Sequence, residues 1–232
     1  MRTSLLLLTI AIMATSTRAA PTKSNLLNGR DLAGWELVTL PATPAAIAEV
    51  YRYGAEDVLT VSGQPMSYLA TTASYENYTL HAEWRWPGKP GNSGILLHIA
   101  SAPKDGAWPL CIQMQLKNKS AGDVLPMAGA TIAEPLAAGI KTPTYSRTSP
   151  DSEKAPGEWN ACDVICRGDT IEIMINGIAQ TRVTKCRPAA GKIGFQLEGV
   201  SFELRNLRIG PLPLAIGAGL QTDPRSAPPA KF

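Results

Sequence analysis

Glu83 and Arg85 stand two residues apart in the run Thr79 to Trp86 (TLHAEWRW), and Gln113, Gln115 and Lys117 alternate likewise in Leu110 to Lys117 (LCIQMQLK). In an extended strand that spacing puts each set on one face. His98 joins them if Gly94, Leu96 and His98 in the run Gly94 to Ile99 point away from Ile95 and Leu97. Between these runs, Pro87 to Gly94 (PGKPGNSG) forms a loop that delivers Asn92. A carboxylate, a guanidinium, an imidazole, an ammonium and amides on neighbouring strands can match the vicinal hydroxyls of a sugar, and Trp faces can stack on a pyranose. Asn160, which opens a strand after Glu158-Trp159, is a further candidate, with a loop-tying role as its plainer reading. The competing reading of the whole set is a solvated sheet face, on which Glu83 merely pairs with Arg85 and His81 and His98 are ordinary histidines. Asp123, after Ala121-Gly122, reads better as a turn residue than as a ligand.

Familiar catalytic signatures are missing. The chain has no Gly-x-Ser-x-Gly elbow, P-loop, dinucleotide fingerprint or His-Glu-x-x-His. Ordinary glycoside hydrolysis wants two carboxylates flanking the scissile bond. No strand here carries such an alternating pair, so that chemistry is disfavoured.

The elements that must position these residues are strands. Ile171, Ile173 and Ile175 alternate in Thr170 to Asn176, and Ile193, Phe195 and Leu197 alternate in Gly191 to Glu198. Such two-residue periodicity marks half-buried antiparallel strands. Arg167-Gly168-Asp169-Thr170 and Asn176-Gly177 are hairpin turn signals between them. Only Pro44 to Val50 suggests a helix, of about two turns. Trp84, Trp86 and Trp159 read as core, because two of them fall on the apolar phase. The pattern predicts an all-β sandwich of two antiparallel sheets over residues 20–210, followed by a Pro/Ala/Gly-rich mobile tail at 211–232.

The N-terminus reads as an address. Arg2, the apolar run Leu5 to Met13 and the small residues around Arg18 spell an export signal at 1–19, cut after Ala19. The apolar run is too short for a bilayer core of ~30 Å. Once it is removed, 20 basic residues face 19 acidic ones, a balance of +1. That balance, without Lys/Arg clusters, predicts neither nucleic-acid nor membrane binding. The mature protein is expected to be periplasmic or secreted, and in an oxidising compartment its four cysteines favour disulfides over zinc. Cys166 with Cys186 and Cys111 with Cys162 is the expected pairing, one of three connectivities. A catalytic thiol is disfavoured, since no histidine lies near any of them in sequence.

Several motifs, in order, carry a resemblance. Leu26 to Trp35 (LLNGRDLAGW) is followed by Tyr78-x-Leu80, Glu83-Trp84-Arg85-Trp86 and Gly91-Asn92-Ser93-Gly94-Ile95. Then come Cys111-Ile112-x-x-Gln115-Leu116, Ala121-Gly122-Asp123, Gly157-Glu158-Trp159-Asn160 and Asn176-Gly177. Gly191-Lys192-Ile193-Gly194-x-Gln196-x-Glu198-Gly199 and Arg205-Asn206 close the series. Over about residues 24–210 the chain resembles the 3-keto-disaccharide hydrolase family.

The resemblance implies a concanavalin A-like jelly roll with a sugar-binding concave sheet, acting on 3-keto-glycosides as a hydrolase or as a 1,2-lyase and hydratase. A ketone at C3 acidifies the C2 proton, so one base can form an enolate that expels the C1 substituent, and water then adds across the double bond. On this reading His98 or Glu83 is the base, and Arg85 and Lys117 stabilise the oxyanion. Asn92, Gln113, Gln115 and Asn160 hold hydroxyls. A divalent metal would serve equally as Lewis acid. The family usually has Glu two residues before the glutamine of the Cys-Ile-x-x-Gln run, where this chain has Gln113. The alternative is a non-catalytic, lectin-like carbohydrate-binding module, because this fold serves binding as readily as catalysis.

Overall fold

The computed structural model describes residues 23–39, 43–106, 108–137 and 143–213. The expected leader at 1–19 and nearly all of the expected tail lie outside them. The described residues form β1 (Ser24–Asn25), β2 (Trp35–Thr39), β3 (Tyr51–Tyr53), β4 (Leu59–Val61), β5 (Ser67–Thr71), β6 (Tyr78–Arg85), β7 (Gly94–Ile99) and β8 (Pro103–Asp105). They continue with β9 (Trp108–Pro109), β10 (Cys111–Gln115), β11 (Val124–Met127), β12 (Asn160–Arg167), β13 (Thr170–Ile175), β14 (Ile178–Val183), β15 (Lys192–Leu197) and β16 (Phe202–Pro211). The expected two-turn helix is a single turn, α1 (Ile47–Val50), because the chain becomes extended again at Tyr51.

The strands make two large antiparallel sheets. One has eight strands, in the order β14-β13-β12-β6-β16-β4-β3 with β1 added to β16. The other has six, in the order β11-β10-β7-β15-β5-β2. The predicted turns hold: Asn176 and Gly177 both have positive φ, as a tight two-residue hairpin requires, and they join β13 to β14.

The alternating apolar residues of both sheets meet in one layer. Leu80, Ala82 and Trp84 of β6, Val164 of β12 and Ile171, Ile173 and Ile175 of β13 face Ile95 and Leu97 of β7, Ile112 and Met114 of β10 and Phe195 of β15. This is the two-sheet sandwich expected of the pattern, with the jelly-roll form that the resemblance implies, and each Leu or Ile so buried contributes on the order of 1.5–3 kcal/mol. A smaller apolar cluster lies on the far side of the six-stranded sheet. Tyr68, Ala70, Leu96, Ile99, Cys111, Leu125 and Met127 form it, with Val38 and Trp108 packed against it.

The cysteines depart from expectation. All four are free and buried. Cys162, Cys166 and Cys186 belong to the layer between the sheets, whereas Cys111 belongs to the cluster on the outside of the six-stranded sheet. The Cys111–Cys162 pairing therefore cannot form, because β10 itself separates the two side chains. Burial pushes the thiols of Cys162, Cys166 and Cys186 up to about 12, and that of Cys111 further still, which leaves no reactive thiolate near neutral pH.

Candidate functional site

The outer face of the six-stranded sheet holds a cleft of about 790 Å³, within the range of small-molecule sites. Its polar end is built where β10, β7 and β15 run side by side. Gln115 pairs in register with Gly94, and Gln113 with Leu96. Gly94 makes room for the Gln113 side chain: a Cβ there would sit 2.6 Å from Gln113 Nε2. Gln113 Nε2 donates to Gln115 Oε1 at 3.3 Å and to Gln196 Oε1 at 3.2 Å. Gln196 Nε2 and Asn92 Nδ2 then both donate to Glu198 Oε2, at 2.7 and 2.8 Å. Lys117 lines the same cleft at its rim.

This row is poised for a ligand. Burial raises the Glu198 carboxyl above the ordinary Glu value, with the Lys117 charge opposing in part. Glu198 is the one carboxylate among the described lining residues. Gln113 Oε1 and Asn92 Oδ1 are buried acceptors without a protein partner. Buried acceptors of that kind suit a ligand bearing hydroxyl donors. Among the described residues no group of three His, Cys, Asp or Glu is placed to hold a metal. Amides, one carboxylate and a lysine make a poor donor set for a divalent cation.

Of the residues singled out from sequence, Asn92, Gln113, Gln115 and Lys117 come together here. Glu83, Arg85, His98 and Asn160 do not. Glu83 and Arg85 lie on the outer face of the eight-stranded sheet, across the whole sandwich from the cleft. There Arg205 Nε donates to Glu83 Oε2 at 2.6 Å and Asn206 Nδ2 to Glu83 Oε1 at 2.8 Å. Arg85 pairs with Glu203. Both guanidiniums also lie over the Trp159 ring, at 4.6 Å for Arg85 and 4.0 Å for Arg205, so Trp159 is stacked on a surface rather than buried in the core. Burial alone would raise the Glu83 carboxyl, but the bonds from Arg205 and Asn206 bring it below its ordinary value. A carboxylate with both oxygens engaged and a lowered pKa is a weak base.

His98 departs for a different reason. Gly94 and Leu96 do face outward, as the alternation predicts, but His98 has φ +57 and sits where the β7–β15 register slips between Lys192 and Gly194. This bulge shifts the phase by one residue. Ile99 turns outward to join Leu96, and His98 turns inward, its ring edge-on to Tyr78 with centroids 5.8 Å apart. Gly191 permits the bulge, since a Cβ there would lie 2.4 Å from the Ile99 carbonyl oxygen. His98 Nδ1 donates to the Pro188 carbonyl at 3.2 Å, and burial lowers its pKa. It is neutral, enclosed and on the wrong side of the sheet for a base. Asn160 is buried at the start of β12, where its Oδ1 accepts from Lys154 N and Asn176 Nδ2. It ties a loop to a hairpin. Asp123 likewise holds a turn, accepting from Arg147 N at 2.9 Å.

Gln196 and Glu198 are the cleft residues to which the sequence reading gave no role. The signal was present: in Gly191 to Glu198 they occupy the face opposite Ile193, Phe195 and Leu197, as Gln113 and Gln115 do on β10. Trp108, Met66 and Leu136, which also line the cleft, carry no periodic signal because they come from short or irregular segments.

Solved structures share this architecture. A protein from Parabacteroides distasonis, named a candidate glycosyl hydrolase, is 22% identical with a TM-score of 0.61, covering 82% of this chain and 94% of its own. A carbohydrate binding module from Bacillus subtilis is 10% identical with a TM-score of 0.53, covering 76% and 95%. A β-1,3-1,4-glucanase derived from a mouse hindgut metagenome is 12% identical with a TM-score of 0.51, covering 83% and 99%. At these identities the likeness establishes the concanavalin A-like fold. No curated relative matches the sequence. Residues 22–210 match the 3-keto-alpha-glucoside-1,2-lyase-like domain, and the chain belongs to that family.

Proposed function

We propose that the cleft binds a 3-keto-glycoside and cleaves it by elimination, with Glu198 as the base. The observation that carries this reading is a single half-buried carboxylate of raised pKa, set among amides with unpartnered acceptors and opposite a lysine. One carboxylate is too few for ordinary acid/base hydrolysis but sufficient for proton abstraction beside a ketone. Glu198 takes the C2 proton, and the C2–H electron pair forms the enolate with its charge on the C3 oxygen. Lys117 faces that charge. The enolate then re-forms the ketone and a C1–C2 double bond, and the C1–O bonding pair leaves with the aglycone oxygen, which takes up a proton. Water adds its oxygen to C1 and a proton to C2, which completes net hydrolysis. Asn92, Gln113, Gln115 and Gln196 hold the sugar hydroxyls.

This assignment replaces Glu83, His98 and Arg85, whose positions exclude contact with the same ligand. The N-terminal pattern around Arg2, Leu5 to Met13 and Ala19 supports action outside the cytoplasm, and a mature N-terminus at Ala20 would bear it out. Among the described residues no helix is long and apolar enough to cross a membrane.

Turnover of a 3-keto-glucoside in deuterium oxide tests the mechanism. Elimination and hydration place solvent deuterium at C2 of the released sugar faster than enzyme-free exchange does. Cleavage without C2 labelling would mean direct attack at C1. Tight binding without turnover would favour the binding-module reading, which the scarcity of carboxylates in the cleft also supports.

A further inference from the structure

Three large hydrophobic side chains stand exposed among the described residues, and two of them, Met66 at 43% and Leu136 at 37%, line the same cleft. Leu136 belongs to its second half, whereas Met66, one residue beyond the Ser67–Leu197 pair of β5 and β15, stands beside Glu198. On the β11 side of the row of amides the lining changes to Trp108, Leu125, Met127 and Pro143 together with Leu136. The cleft is therefore two-sided in chemistry: hydrogen-bonding at the β10–β15 end and apolar along β11 and the loops beside it.

Leu136 is held in this position. The segment that carries it is pinned to the end of β14, where Glu134 accepts from Thr184 N at 2.9 Å and from Thr184 Oγ1 at 2.8 Å, and Ala133 N donates to Thr184 O at 2.8 Å. Ala137 N donates to Thr144 O at 2.9 Å on its other side. Met66 enters from the opposite flank, at the start of β5, next to a turn closed by Ser67 Oγ donating to Pro65 O at 2.8 Å. Isolated exposed hydrophobics are unremarkable on a protein surface. Two that are anchored on separate segments and converge on one cleft beside a half-buried tryptophan mark a binding surface.

We infer that the apolar half is the leaving-group subsite and that it takes an aromatic aglycone in preference to a second sugar; this rests on the sugar occupying the amide-lined half. A second pyranose would present several hydroxyls to methyl, thioether and proline surfaces that return no hydrogen bonds, and would lose its water in doing so. A phenyl ring loses no hydrogen bond there and gains contact with Trp108, Leu125 and Leu136. The two halves also adjoin, since Gln113 pairs in register with Leu125, which lets a single glycosidic oxygen bridge them.

The test is equilibrium binding to the full chain carrying Glu198→Gln, so that ligands stay intact. The ligands are methyl 3-keto-glucoside, phenyl 3-keto-glucoside and 3-keto-maltose. The phenyl compound is expected to bind about tenfold more tightly than either of the others. Adding Leu136→Asn should remove most of that advantage and leave the methyl compound within about twofold, since the amide half is untouched. The Leu136 side chain is exposed, so the substitution spares the core, and an unchanged melting temperature would confirm it. Equal binding of all three ligands, tighter binding of 3-keto-maltose, or a phenyl advantage that survives the Leu136 substitution would overturn the inference while leaving the keto-sugar reading intact. Failure of all three ligands to bind would instead remove the reading on which it rests.

Discussion

Both outer faces of this sandwich are polar, yet they are polar in different ways. On the eight-stranded sheet the polar groups are charged and mutually satisfied. Arg205 and Asn206 take both oxygens of Glu83, Arg85 takes Glu203, and His81 Nδ1 lies 2.9 Å from Asp163. On the six-stranded sheet they are mostly neutral amides around one carboxylate, sunk beneath loops, with acceptors left over. The first pattern suits a face that meets water, and the second suits a face that waits for a ligand. A cluster of charges is thus a weaker functional signal than a buried row of amides whose valences are not all used.

The contrast predicts unequal responses to matched substitutions. Glu198→Gln should reduce turnover of a 3-keto-glucoside by about 10³-fold, while Glu83→Gln, equally conservative, should stay within about twofold; initial rates under identical conditions decide. Lys117→Met should lower kcat by about 10²-fold with less effect on KM, as expected of a group that meets charge developing after binding. It should also move the acidic limb of the rate profile upward. That limb reports deprotonation of Glu198, so activity rises with pH through a midpoint above the ordinary Glu value, and losing the opposing Lys117 charge raises it further.

Gln113→Glu should cost about 1–3 kcal/mol of stability near neutral pH, because a carboxylate would replace the donor that serves Gln115 Oε1 and Gln196 Oε1. A new acid disfavoured by burial has a raised pKa in the folded state. The loss is therefore complete above that pKa and is relieved as pH falls through it, which melting temperatures across a pH series would show. Arg205→Ala on the opposite sheet should change stability least, by about 1 kcal/mol or less, since its ion pair is partly exposed. A larger loss would mean that the charged face does more than meet water.

Much of the fold was legible because alternation is a local property. The strands at Thr79, Leu110, Thr170 and Gly191, and the Asn176-Gly177 turn, follow from side-chain phase and glycine chemistry. The site was only half legible, since phase shows which residues share a face of their own strand but not which sheet that strand enters. Glu83 and Gln113 look alike in sequence, yet β6 lies in the middle of one sheet and β10 in the other. His98 was hidden by a one-residue bulge that phase counting cannot anticipate, although Gly191 is the residue that permits it. Glu198 was readable by the same alternation that exposed Gln113. The apolar half of the cleft was not, because Trp108 and Leu136 lie outside any regular pattern.

Titrating a 3-keto-glucoside into the isotope-labelled protein, while following backbone and side-chain amide resonances, places the ligand on one face or the other. The side-chain amides of Asn92, Gln113 and Gln196 should shift together and saturably, with those of Asn206 and the backbone of β16 unmoved. Shifts confined to Asn206, Arg205 and Glu83 would put the sugar on the charged sheet and contradict the assignment of Glu198.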